Sequence, residues 1–164
     1  MDINKKKKFK LYFFSIILIL FFYLAVKNFQ EEKNQIAISD TILINLLTSV
    51  HPDLPWNFKP VMSKIYVRPG DVTTVEYIVE NLANEESTGI ATFLYFPNQF
   101  GNYISKINCF CYDAKTLKPN QKDKYSLILL INPEVTKDSK TKNVKEVTIQ
   151  FTFFDYKEYK ENKS

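Results

Sequence analysis

The sequence predicts an all-β domain, an immunoglobulin-like antiparallel β-sandwich, preceded by one N-terminal transmembrane helix. Three observations predict it. An apolar run over residues 9–26 follows four consecutive lysines, Lys5 to Lys8. Beyond it, seven apolar stretches rich in β-branched and aromatic residues are separated by turn residues. No segment after the run carries a convincing helical period.

The run reads FKLYFFSIILILFFYLAV, interrupted only by Lys10 and Ser15. As a helix it would extend roughly 27 Å, just enough for a bilayer core. Lys10 can carry its amine back to the interface. Tyr12 and Tyr23 stand near the two ends, where aromatic rings favour the headgroup zone. Two other readings are a cleaved secretory signal and a buried helix of a soluble core. The YLAVKNF end lacks a small-x-small cleavage site, and the run has almost no polar face. Lysines ahead of the span keep the N-terminus in the cytoplasm. A bacterial inner membrane with the remainder in the periplasm is the natural reading.

Residues 27–35, KNFQEEKNQ, form a polar linker. The first strand is expected within Ile36 to Leu47. VMSKIYV (61–67) follows, stopped by the turn Arg68-Pro69-Gly70-Asp71. VTTVEYIVE (72–80) alternates in part. GIATFLYF (89–96) ends at Pro97-Asn98, and YISKINCFCY (103–112) comes next. KYSLILLI (124–131) ends at Asn132-Pro133. VKEVTIQFTFF (144–154) alternates with the period of two of a half-buried strand. The chain thus divides into a basic tail (1–8), a span (9–26), a linker (27–35), a periplasmic sandwich (36–155) and a charged, solvated tail (156–164).

Composition narrows the function. Of 164 residues, 45% are hydrophobic and 15% aromatic, so a packed core can form. The net charge of +4 lies wholly in residues 1–10; the rest carries 17 basic and 17 acidic residues. A neutral body offers no basic face, so no nucleic-acid partner is expected. One His and two Cys exclude a self-contained zinc finger and a disulfide-dense scaffold. There is no P-loop, no G-x-G-x-x-G and no H-E-x-x-H. His51, the only His, sits in the turn-like HPDLP. No catalytic residue is identified, and an enzyme is not expected.

Cys109 and Cys111, in Ile107-Asn108-Cys109-Phe110-Cys111, are the exception. On a strand, residues two apart share a face, so both sulfurs could converge on one ion while Phe110 points inward. Cu(I) accepts ligation by two or three soft thiolates, whereas zinc wants four ligands. Inert core cysteines, a disulfide and redox exchange stay open beside copper. Two residues of extended strand separate Cα atoms by about 6.6 Å, so a disulfide would need a bent backbone.

HPDLPWNFKP, VRPGD, EYIVEN, GIATF, NYISKINCFCY, LKP and a closing TFF occur in that order. Over Leu54 to Phe154 the chain resembles the CtaG family of cytochrome c oxidase assembly proteins, copper chaperones for the copper B site of oxidase subunit I. The resemblance implies that Cys109 and Cys111 are the Cu(I) ligands, on a strand including Lys106 to Phe110. It implies oxidase subunit I and the membrane as partners, a copper donor or reductant protein, and a copper-bridged homodimer. Leu54, Pro55, Trp56 and Phe58 match a further family segment, and a packing role is expected for Trp56. Two features depart from the pattern. The family's additional Cys after the span is missing from AVKNFQEEKNQIAISD, and its Met-Pro segment is replaced by KYSLILLI. Met62 is the one thioether of the expected exported part, with no sign of being a ligand. The rival functions are a periplasmic thiol–disulfide reductant and a structural assembly factor with inert cysteines.

Overall fold

The computed structural model describes residues 13–28 and 40–161. The chain falls into two units, Met1–Asp40 and Thr41–Ser164. In the first, helix α1 covers 13–28. At about 1.5 Å per residue its described length is roughly 24 Å. Among the described residues, no helix is long and apolar enough to cross a membrane. Residues 9–12 of the expected span lie outside the described residues, as do the basic tail and most of the linker.

The second unit holds nine strands: β1 (Ile42–Val50), β2 (Trp56–Pro60), β3 (Lys64–Val67), β4 (Val72–Asn81), β5 (Ser87–Phe96), β6 (Ile104–Cys109), β7 (Lys115–Leu117), β8 (Lys122–Ile131) and β9 (Glu146–Asp155). They form a five-stranded sheet, β3-β1-β9-β5-β7, and a four-stranded sheet, β2-β4-β8-β6. Aromatic rings join the two. Phe58 of β2 meets Phe153 of β9 at 4.8 Å, and Tyr77 of β4 meets Phe151 at 5.7 Å. This is a β-sandwich, as expected, and an immunoglobulin-like description fits it.

Three expectations need correction. The sandwich is not wholly antiparallel: β1 runs parallel to β9, from Leu43↔Glu146 to Val50↔Phe153. The two ends of the domain therefore lie side by side, a pairing that strand periodicity does not encode. The described residues hold nine strands rather than seven. β2 is missed because Pro60 and two polar residues dilute its pattern, although Trp56 and Phe58 alternate inward. β7 has only three residues. Third, a helix does follow the apolar run: within the charged tail, Tyr156–Glu161 forms a short helix, α2, with no buried residue. Asp155 Oδ1 accepts the amide N–H groups of Lys157 and Glu158, capping its first turn. Tyr159 packs its ring against Phe154 at 6.0 Å. Residues 162–164 lie outside the described residues.

The Arg68–Asp71 turn is as expected. Gly70 has φ +99°, where a side chain would be strained. Trp56 has the expected packing role: it is buried, its ring lies 5.1 Å from Phe153, and its indole N–H donates to Ser87 Oγ at 2.8 Å. Gly89 leaves room for it. A Cβ there would stand 2.7 Å from Leu54 Cδ2 and 3.0 Å from the Trp56 ring.

Candidate functional site

Among the described residues β6 is an edge strand, paired only with β8. Its register slips between Lys106 and Asn108, so Ile107 bulges out and is exposed. The strand ends at Cys109, and Phe110–Tyr112 turns as a 3₁₀ helix. Cys109 and Phe110 are consecutive and both buried, at 4% and 5% exposure. Strand alternation forbids that, and a turn permits it. The expectation that Cys109 and Cys111 occupy alternate positions of one strand is therefore corrected. Phe110 does point inward, as expected. Its ring lies 4.9 Å from Phe151, 5.2 Å from Tyr77 and 5.6 Å from Phe58.

The turn brings the two Cα atoms to 5.0 Å, and the sulfurs form a disulfide. This is the bent backbone that a bridge between these residues requires. Cys109 Sγ also accepts the amide N–H of Cys111 at 3.2 Å. Cys111 is only partly buried, against the edge of the core.

Sequence reasoning did not find the side chains that brace this edge. Lys106 Nζ lies 3.1 Å from the centroid of the Phe93 ring and donates to the Tyr95 hydroxyl at 3.1 Å. Burial lowers the Lys106 pKa and pushes the Tyr95 phenol up to about 12. The Tyr112 hydroxyl donates to the Lys106 carbonyl. The one available signal was Asn108, a turn-forming residue just before the cysteines. A groove lined by Asn108, Tyr112, Asp113, Asp123 and Lys124 borders Cys109.

The other chemistry-bearing residues lie elsewhere in the sandwich. Met62 is exposed in the bend after β2, the opposite edge strand of that sheet from β6. His51 follows β1 of the other sheet, where its Nδ1 pairs with Asp53 Oδ2 at 2.7 Å and its ring stacks on Phe154. Ligand-capable atoms of His51, Asp53 and Glu158 lie within 4.8 Å of one another. A hydrogen bond that the protonated Glu158 carboxyl donates to Asp53 raises the Glu158 pKa.

A dithiol in this turn has two chemistries. Reduced, it offers two thiolates to a soft metal ion; oxidised, it can exchange its bond with another thiol. The family model for cytochrome c oxidase assembly protein CtaG/Cox11 matches residues 22–155. The chain belongs to this family. A cytochrome c oxidase assembly protein CtaG from Sinorhizobium fredii is 34% identical over 124 residues, 76% of this chain and 62% of that protein. One from Brucella ovis gives the same identity and coverage. One from Ehrlichia ruminantium is 37% identical over 118 residues, 72% of this chain and 67% of its own length. The chain thus spans about three fifths of the length of the first two relatives.

Proposed function

We propose that this protein is a non-catalytic Cu(I) carrier. It is anchored in the bacterial inner membrane by residues 9–26, with its sandwich in the periplasm, and it delivers copper to the copper B site of oxidase subunit I. The observation that carries the reading is the Cys109–Cys111 pair in a turn at a sheet edge, in a chain of an oxidase-assembly family. Copper is the cargo. Once the disulfide is reduced, two thiolates can hold Cu(I), and a soft ligand on the acceptor can displace them one at a time. Two sulfurs leave the ion short of a third, so a second copy of the chain can complete the site with bridging thiolates. Phe110 fixes the turn from beneath, so both sulfurs keep their spacing while the metal changes hands.

The bond between the sulfurs favours one second reading, a thiol–disulfide reductant acting on a partner's cysteines. The test replaces the resident gene with Cys109→Ser or Cys111→Ser and purifies the oxidase. The carrier reading expects oxidase that retains haem but lacks copper at the subunit I site. It also expects excess copper, but not an added thiol reductant, to restore part of the loss. Rescue by the reductant alone would favour the second reading.

A further inference from the structure

The two sulfurs are not equivalent. Cys109 closes β6, pairs with Leu127 and is 4% exposed, whereas Cys111 stands in the turn and is only partly buried. The amide N–H of Cys111 donates to Cys109 Sγ, and a hydrogen bond of that kind favours negative charge on the accepting sulfur. In thiol–disulfide exchange the attacked sulfur must be reachable, and the departing sulfur leaves faster when its thiolate is stabilised. We infer that Cys111 is the sulfur attacked when the disulfide is opened, and that Cys109 is the leaving thiolate. The inference rests on the carrier reading only for the need to open the bond.

The partner is a dithiol reductant. Its first thiolate bonds to Cys111 Sγ. The Cys109–Cys111 bond breaks, and its electron pair departs on Cys109 Sγ. The reductant's second thiolate then attacks its own sulfur in the mixed disulfide and expels Cys111 as a thiolate. Two electrons reach the chain, the reductant ends as its own disulfide, and its two thiol protons pass to water. The groove beside Cys109 is the competing approach, but with that residue almost closed off, a thiolate on another protein meets Cys111 first.

The experiment uses the full, oxidised chain in detergent and glutathione as a monothiol probe. Brief exposure is quenched with excess N-ethylmaleimide, so the attacked sulfur keeps glutathione and the released one takes maleimide. Tandem mass spectrometry of the peptide Ile107–Lys115, fragmented on either side of Phe110, reads which is which. Glutathione on Cys111 with maleimide on Cys109 is expected to exceed the reverse by ~10-fold or more, and the preference should vanish in denaturant. An even split or the reverse pattern in the folded chain overturns the inference. So does the absence of any adduct at a glutathione concentration that labels the denatured chain. No copper is present, so the result stands apart from whether the chain carries copper.

Discussion

Phe110 is the residue on which the site's geometry depends. It separates the two cysteines, and its ring contacts both sheets: Tyr125 of β8 at 5.7 Å and Phe153 of β9 at 5.9 Å. Phe110→Ala is expected to cost about 3–5 kcal/mol by chemical denaturation, the range for emptying a buried aromatic site. A cost below about 1 kcal/mol would mean that the ring is not core. Tyr77, beside it, predicts the opposite sign. It is fully buried, and its hydroxyl finds no hydrogen-bond partner among the described residues. Burial accordingly drives its pKa well above the ordinary 10.0. Tyr77→Phe removes an unsatisfied polar group and should stabilise the domain by about 1 kcal/mol. A destabilised variant would reveal a partner for the hydroxyl. The packing of Trp56 was legible in the sequence as that of a large aromatic side chain, whereas Phe110 points inward for a reason strand alternation did not supply, because a turn rather than a strand buries it beside Cys109. The disulfide was legible only as a condition, since a bend at Asn108–Phe110 depends on a bulge set by pairing with β8.

At the scale of elements, local pattern located most strands and tertiary pairing decided the remainder. β9 alternates cleanly and ends at Asp155, one residue past the expected stretch. β2 and β7 hold too few residues to declare a period, and each exists because a longer neighbour, β4 or β5, supplies its hydrogen bonds. The Leu54–Trp56 segment is fixed by what lies beneath it. Gly89→Ala pushes a methyl against Leu54 and the rigid indole, and should destabilise by about 1–3 kcal/mol, read from the melting of the full chain. An unchanged melting temperature would mean that the segment shifts freely. A second contact joins the 3₁₀ turn before β6 to the loop after β8. The Tyr103 hydroxyl donates to Asp138, which, with the Lys140 amide N–H, holds that carboxyl below its ordinary 3.8. A depressed carboxyl pKa stabilises the fold above the unfolded-state value, and the effect is lost as pH falls through the folded-state value. The stability advantage of the natural chain over Tyr103→Phe should therefore be present at pH 6 and shrink below about pH 4. An advantage that grows on acidification would reverse the sign and exclude this contact as its source.

At the scale of the whole molecule, the sequence sets a basic, apolar N-terminal quarter against a body without net charge. What periodicity could not supply was the parallel pairing of β1 with β9, because it joins strands about a hundred residues apart. The central claim concerns the use of the one cysteine pair this scaffold carries. The most direct measurement is the copper-to-protein ratio of the full chain, loaded with Cu(I) without oxygen before and after reduction and freed of loose metal. The account predicts tight, stoichiometric copper only after reduction, none in Cys109→Ser or Cys111→Ser, and no replacement by Zn(II). Stoichiometric copper retained by both serine variants, or bound equally by the oxidised chain, would contradict it.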